Sequence, residues 1–202
     1  MSKFPQLKVL LVDVDGVLVV PPRLFSHIYA EENSMGAAQI EPFFHGVFRE
    51  ATIGKADLKE LIAENRDVWN WSGDPAALLE RWFEAENHID QTLLAILVKL
   101  RQIGILVYLA TDQEKYRADY LRRVMFPDDF DGMFVSCELG ITKASPKYFE
   151  VVLAKLQQQY PDLMAEDVMF IDDREANIES ARIAGLRAEV YAGHDQIERL
   201  IE

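Results

Sequence analysis

The chain has 202 residues, of which 50% are hydrophobic and 27% are charged, and its formal net charge is −13. This composition is typical of a soluble globular protein with one or two domains. The negative charge argues against nucleic acid or an anionic membrane surface as the main partner, and the single cysteine, Cys137, excludes an internal disulfide and suits a reducing compartment.

The first residues, MSKFPQLK, lack an apolar region of signal-peptide length. In addition, no apolar run in the sequence approaches the roughly 18 residues of a membrane span. Both observations predict a cytoplasmic protein that works without a membrane partner.

Residues 9–12 form an apolar run of strand length, and Asp13, Asp15 and Gly16 follow it directly. Side chains alternate along an extended strand, so both carboxylates fall on one side if the chain stays extended. Gly16 permits a sharp turn immediately afterwards. Acidic groups at the end of a buried strand are costly unless they bind a cation or handle protons. The motif therefore favours chemistry over the alternative of a loop that happens to be acidic.

After a helix-like block at 23–90, helices and strands alternate regularly along the chain. The pattern predicts helices over 91–102, 113–125, 146–158 and 175–184, and strands over 105–110, 132–135, 168–171 and 188–191. Such alternation predicts an α/β fold, a Rossmann-like parallel sheet with helices on both faces. We interpret the block as an inserted all-helical domain, with extra helices on the sheet as the alternative. The predicted domains are a core of residues 1–20 and 91–202 and an insert of residues 21–90.

Polar residues follow the next three predicted strands as well: Thr111 and Asp112, then Ser136 and Lys143, then Asp172 and Asp173. Since the carboxyl ends of parallel strands meet at one edge of a sheet, we expect these groups to form one site. Carboxylates select a hard cation such as Mg²⁺, and a hydroxyl and an ammonium suit phosphate oxygens. The set predicts phosphoryl transfer, in which one carboxylate can attack phosphorus and another can move a proton.

Four motifs in order, over nearly the whole chain, resemble those of the haloacid dehalogenase (HAD) superfamily of phosphatases and phosphotransferases. The residues that carry the resemblance are Asp13-Val14-Asp15-Gly16-Val17, then Thr111, then Ser136, Gly140, Lys143, Pro146 and Phe149, then Asp172, Asp173, Asn177, Ala181 and Gly185. Any one motif alone is a weak signal, whereas four in order are a strong one.

The resemblance implies a role for each matched residue. Asp13 would be the nucleophile, and Asp15 would be the general acid and base. Thr111 and Lys143 would bind the phosphoryl group, and Lys143 would also restrain Asp13. Because dehalogenases of the superfamily lack an acid at the position of Asp15, dehalogenation is disfavoured.

The resemblance also implies a Mg²⁺ cofactor and a cap. The metal would be held by Asp13, by the backbone carbonyl of Asp15, by Asp172, and by Asp173 either directly or through water. The insert would be the helical cap of the subgroup whose cap lies between the first two motifs, and polar cap residues would select the substrate. The candidates are Arg23, His27, His45, Arg49 and Lys55, with Arg23 placed first.

Asp112 departs from the asparagine that many relatives carry beside the second motif. It is among the candidate phosphate-binding residues, but its charge would repel phosphate if it faced the substrate. As an N-cap of the next helix it would be harmless, and this interpretation is favoured.

The favoured function is a Mg²⁺-dependent phosphatase that hydrolyses a small phosphorylated metabolite through an aspartyl phosphate, as a monomer or homodimer. A sugar phosphomutase of the same superfamily is one alternative. A non-catalytic phosphometabolite-binding protein is another, but it would be expected to lack some of the motif residues, and none of the principal acids is missing.

Overall fold

The core is a five-stranded parallel sheet in a computed structural model, which is described for residues 7–200. The strands are β1 (Val9–Val12), β2 (Leu106–Thr111), β3 (Gly132–Val135), β4 (Val168–Asp172) and β5 (Arg187–Val190). Their order across the sheet is β3-β2-β1-β4-β5, and every neighbouring pair is parallel. This confirms the predicted α/β, Rossmann-like fold. The outer ends of the predicted core, residues 1–6 and 201–202, lie outside the described residues.

The described chain has twelve α-helices. They are α1 (Phe25–Glu32), α2 (Ala37–His45), α3 (Phe48–Thr52), α4 (Leu58–Glu64), α5 (Arg66–Trp69), α6 (Pro75–Ala85), α7 (Gln91–Gln102), α8 (Lys115–Tyr120), α9 (Ser136–Leu139), α10 (Pro146–Gln159), α11 (Glu175–Ile183) and α12 (His194–Glu198). Helices α1 to α6 lie in the insert, and α7 to α12 connect and cover the strands. Helix α8 continues into a π-helical turn at Leu121–Met125, and a 3-10 turn at Ala165–Asp167 precedes β4. Between residues 7 and 200, no helix has both the length and the apolar character needed to cross a bilayer.

Alternate residues of the central strand β1 belong to two different hydrophobic clusters, one on each face of the sheet. Leu10 and Val12 pack with residues of α7 and α12, whereas Val9 and Leu11 pack with residues of α10 and α11. A parallel sheet covered on both faces needs apolar side chains at every position of its central strands. This explains why β1 is a continuous apolar run.

Helices α1 to α6 surround a third hydrophobic cluster, and its buried members all lie between residues 25 and 83. The cluster is rich in aromatic residues, including Trp69 and Trp82, while Trp71 packs against it without being fully buried. From the core, Tyr116 and Tyr120 also pack against this cluster. The insert therefore has a hydrophobic core of its own; the exact division at residues 21 and 90 stays a prediction.

The observed elements differ from the predicted ones in a few places. Strands β2 and β5 are each displaced by one residue. The helix predicted from residue 113 begins at Lys115, because the carboxylate of Glu114 accepts the N–H groups of Tyr116 and Arg117 and caps it there. Helix α9 was not predicted, since a segment of four residues is too short to show helical periodicity.

Candidate active site

Side chains from three of the strand ends meet at the ammonium of Lys143. Its Nζ lies 2.5 Å from Oδ1 of Asp13 and 2.7 Å from Oδ2 of Asp172. Lys143 is only 2% exposed, Asp13 is 5% exposed, and Asp172 is fully buried. Burial acts to lower the pKa of Lys143, but the two carboxylates outweigh it and raise that pKa. The ammonium is thus held in its charged form by two fixed partners.

The two contacts that fix Asp13 are both made by one of its carboxylate oxygens. Besides Lys143, the backbone N–H of Val14 donates to Oδ1 at 2.7 Å. No hydrogen bond to Oδ2 of Asp13 is found among the described residues, which leaves that oxygen available for chemistry. Burial raises the pKa of Asp13 to about 8, Lys143 opposes the rise, and the charge of Asp172 adds to it.

Asp13, Asp172 and Asp173 form an acidic triad that could bind a metal. Each offers one carboxylate oxygen, and these oxygens lie within 4.8 Å of one another. Gly16 makes room for the third carboxylate, since a Cβ on residue 16 would stand 2.6 Å from Oδ2 of Asp173. Three carboxylates are a donor set that suits a hard divalent cation such as Mg²⁺.

Asn177 orients Asp172 and was noted in the sequence only as a motif position. Its Nδ2 donates to both carboxylate oxygens of Asp172 at 3.0 Å. The backbone N–H of Arg174 also donates to Oδ1, at 2.8 Å. Together with Lys143 these donors leave the Asp172 carboxylate a single orientation.

Gln113, which the sequence analysis missed, joins two of the predicted site residues. Its Nε2 donates to Oδ2 of Asp15 at 2.6 Å and to Oγ1 of Thr111 at 3.1 Å. Its own backbone N–H donates to Oγ of Ser136 at 3.0 Å. The only sequence signal for this role is its place two residues after Thr111.

Asp112 does not cap helix α8, so that interpretation is wrong. Its Oδ1 accepts the backbone N–H of Lys143 at 3.0 Å, whereas Glu114 caps the helix, because two more residues are needed before the chain turns from β2 into α8. Burial raises the pKa of Asp112, and Lys143 opposes the rise. Asp112 thus fixes the segment that carries Lys143, and a contact with phosphate stays a prediction.

Arg117 is a second residue that the sequence analysis missed. It is 4% exposed, and its guanidinium lies over the rings of Phe83 and Tyr120. Its Nη1 donates to the backbone carbonyl of Phe83 at 3.3 Å. Its Nη2 is buried without a hydrogen-bond partner and lies 3.9 Å from Oδ1 of Asp15. A buried cation with a free donor thus stands beside the predicted general acid.

A cavity of about 610 Å³ lies between the insert and the carboxyl edge of the sheet. Its core side includes Asp15, Asp112, Gln113 and Arg117, and its insert side has more apolar than polar lining residues. Of the five residues that the sequence suggests for substrate selection, two line this cavity, His27 and His45. The other three, Arg23, Arg49 and Lys55, are not among its lining residues. Arg23, which was placed first, instead donates to Oε2 of Glu31 at 2.6 Å on the surface.

A family model for haloacid dehalogenase-like hydrolases matches residues 7–185. The chain belongs to this family. Among curated proteins it is similar to the sesquiterpene phosphatase astK of Aspergillus oryzae, with 29% identity over 98 residues, which are 48% of this chain and 47% of that protein. The match therefore spans about half the length of this relative.

Solved structures of HAD family enzymes share the whole fold. A HAD family enzyme of Bacteroides thetaiotaomicron, BT-2542, superposes with a TM-score of 0.75 at 22% identity over 95% of this chain and 97% of that chain. A HAD-like hydrolase of Porphyromonas gingivalis gives a TM-score of 0.75 at 20% identity, over 98% and 99% of the two chains. The Bacteroides enzyme has also been solved with magnesium, and with magnesium and inorganic phosphate.

Proposed function

We propose that this hydrolase is a Mg²⁺-dependent phosphatase that cleaves the phosphate monoester of a small molecule through an aspartyl phosphate on Asp13. The observation that carries the proposal is the contact of Lys143 with Asp13 and Asp172 beside the acidic triad. The magnesium and phosphate complexes of the Bacteroides enzyme and the phosphatase activity named for the Aspergillus relative support it.

The metal ligands would be the carboxylates of Asp13, Asp172 and Asp173 and the backbone carbonyl of Asp15. Bound Mg²⁺ supplies positive charge, which favours the ionised form of Asp13 and neutralises phosphoryl oxygens. Lys143 and Thr111 would bind the remaining phosphoryl oxygens, with Lys143 as a fixed positive charge.

Asp13 would begin the reaction by attacking phosphorus through Oδ2, the oxygen without a hydrogen bond among the described residues. As the bond from phosphorus to the ester oxygen breaks, protonated Asp15 gives its proton to that oxygen, and the alcohol leaves. Asp15 then takes a proton from water, whose oxygen attacks the aspartyl phosphate and releases inorganic phosphate and Asp13. Gln113, 2.6 Å from Oδ2 of Asp15, would hold the acid in place through both steps.

The test is phosphate release from p-nitrophenyl phosphate and a panel of metabolite phosphoesters, with Mg²⁺ and with EDTA. We expect release to need Mg²⁺ and to be lost in Asp13→Asn, while the exposed control Asp162→Asn keeps wild-type activity. Undiminished release by Asp13→Asn would contradict the proposal. Transfer of phosphate between hydroxyls of a sugar, without free phosphate, would indicate a mutase instead.

A further inference from the structure

We propose that the substrate is the phosphate monoester of a bulky apolar alcohol, whose hydrocarbon part fills the cavity between insert and core. The proposal rests on the proposed function, because Asp13 and Asp15 would act on the ester bond. The same cavity is lined by Asp15 and Gln113 from the core and by aromatic residues from the insert. An alcohol bound in it therefore extends from the proton-donating carboxylate towards the insert.

The insert side of the cavity is an aromatic wall made by Phe44, Phe48 and Trp82. The ring centroids of Phe44 and Phe48 are 5.4 Å apart, and those rings lie 5.4 and 5.8 Å from that of Trp82. The rings therefore form one continuous surface. Such a surface gains free energy by covering hydrocarbon and offers little to a hydroxyl group.

Two further apolar side chains line the cavity while remaining open to solvent. Val20 is 52% exposed and Leu24 is 51% exposed, and both belong to the connection between β1 and α1. Exposed apolar side chains beside a reactive centre mark a surface that an apolar ligand can cover. Because Asp15 lines the same cavity as Val20 and Leu24, the alcohol part of a substrate bound at Asp15 is the apolar ligand that would cover them.

The buried acidic groups of the cavity are already occupied by backbone donors. Glu86 accepts the N–H of Phe25 at 2.7 Å, Glu114 caps α8, and Asp112 holds the N–H of Lys143. Four lining residues of the insert have polar side chains without a hydrogen-bond partner among the described residues: Ser26, His27, Glu41 and His45. Of these, His27, Glu41 and His45 are exposed to water. Hydroxyl groups of a sugar phosphate that lie near these four side chains would find partners, whereas hydroxyl groups against the aromatic wall would lose water without gaining a partner, which is unfavourable.

The size of the cavity also fits a bulky group. Its volume of about 610 Å³ lies in the middle of the range for pockets that enclose small organic ligands, roughly 300–1,000 Å³. An alcohol of only a few carbon atoms would leave much of the aromatic wall exposed to water.

The first test is kcat/KM for n-butyl, n-hexyl and n-octyl phosphate against glucose 6-phosphate and glycerol phosphate, with p-nitrophenyl phosphate as reference. We expect about a fourfold gain per added methylene until the cavity is full, from the free energy of burying a methylene. Octyl phosphate should then exceed butyl phosphate by more than about tenfold, and the polyol phosphates should be the poorest substrates. A flat chain-length series, or a polyol phosphate as good as octyl phosphate, would overturn the proposal.

This design separates the two proposals. If p-nitrophenyl phosphate is hydrolysed in a manner that needs Asp13 but the chain length has no effect, only the substrate inference fails. If no ester is hydrolysed, the proposed function fails, and the substrate inference is decided by binding alone. For that purpose butylphosphonate and octylphosphonate, which have no cleavable ester bond, are titrated with Mg²⁺ while the intrinsic tryptophan fluorescence is followed, since Trp82 is the tryptophan among the residues that line the cavity. Octylphosphonate should bind more than about tenfold tighter; equal affinities would overturn the inference.

Leu24→Ser is the matched variant for both measurements. Leu24 precedes α1 as an N-cap residue without a side-chain hydrogen bond, and serine suits that position, so the variant should fold. We expect the variant to weaken octylphosphonate binding about fivefold, because the octyl chain would lose apolar contact with Leu24 and stay exposed to water. The shorter butyl chain buries less surface, so butylphosphonate binding should change less than about twofold. The control Ile183→Ser, at a 68% exposed residue outside the cavity, should change neither. Equal effects of Leu24→Ser on both ligands, or none on either, would contradict the proposal.

Discussion

Gly54 of the insert lies directly against the backbone carbonyl of Cys137 in the core. A Cβ on residue 54 would stand 2.3 Å from that oxygen, and the φ angle of Gly54 is +73°. Nearby, Oγ of Ser136 donates to the backbone carbonyl of Thr52 at 2.6 Å. The insert and the core therefore meet backbone to backbone beside the candidate site, and any side chain at position 54 would separate them.

Replacing Gly54 by alanine should lower the free energy of unfolding, because the new methyl group would push the insert away from the core at Cys137. We expect a loss of about 3 kcal/mol in the free energy of unfolding, from a positive φ and a steric clash together. Gly104→Ala is the control, because Gly104 has φ +94° but a Cβ on residue 104 would meet no atom within 4 Å. It should cost only about 1 kcal/mol in urea unfolding. Equal losses in the two variants would show that the contact with Cys137 contributes nothing.

Asp57 links the insert to the core through charge. Its carboxylate caps α4 in the insert and also accepts from Lys115 Nζ at 2.5 Å and from the hydroxyl of Tyr116 at 2.9 Å. Burial acts to raise the pKa of Asp57, but these hydrogen bonds outweigh it and lower the pKa to about 2 from 3.8. Since the folded pKa is depressed, this contribution to stability is present above about pH 4 and is lost as the pH falls towards 2.

Asp57→Asn should remove this contribution at neutral pH while preserving the helix cap, because asparagine is an equally good N-cap residue. Lys115 is 56% exposed, so solvent screening limits the expected loss to about 1 kcal/mol in urea unfolding. The difference from wild type should shrink between about pH 4 and about pH 2. Asp74→Asn is the control, since Asp74 caps α6 and is exposed without a side-chain partner in the core. A constant difference over that pH range would rule out the charge of Asp57 as its cause.

The sheet and its polar edge could be predicted from the sequence because both follow from one-dimensional patterns. A strand buried on both faces is a continuous apolar run, as at Val9–Val12, and parallel strands bring their carboxyl ends to one edge. The approach of Lys143 to Asp13 and Asp172 follows from that topology, although its distances do not.

Gln113 and Arg117 could not be found in the same way. Which side of α8 meets the site depends on where the helix starts, and Glu114 sets that start two residues later than the apolar pattern predicts. Arg23 failed as a cavity residue for a related reason: nearness in sequence to Asp15 does not fix the direction of a long side chain, and Glu31 pairs with it on the surface.

Arg117→Met should lower activity without lowering stability. Methionine keeps apolar contact with Phe83 and Tyr120 but removes the buried, incompletely paired charge beside Asp15. Losing one fixed donor at the site should reduce kcat/KM by about 100-fold, whereas the free energy of unfolding should stay within about 1 kcal/mol of wild type. Arg123→Met, at an exposed arginine of the adjacent π-helical turn, should leave both unchanged. A stability loss that parallels the activity loss would instead mean that Arg117 is structural.

Asn177→Ala should weaken Mg²⁺ binding, because Asn177 holds both oxygens of Asp172 at 3.0 Å. Partners that orient a metal-binding carboxylate typically affect metal affinity by about 10- to 100-fold, and isothermal titration with Mg²⁺ measures this directly. The control is Gln196→Ala, which removes a buried amide that donates at 2.9 Å to the carboxylate of Glu189, a residue outside the acidic triad. Both variants should lose about 1 kcal/mol of stability with the hydrogen bond, but only Asn177→Ala should change Mg²⁺ affinity. If both variants changed Mg²⁺ affinity equally, general destabilisation would explain the effect, and Asn177 would have no specific role at the metal site.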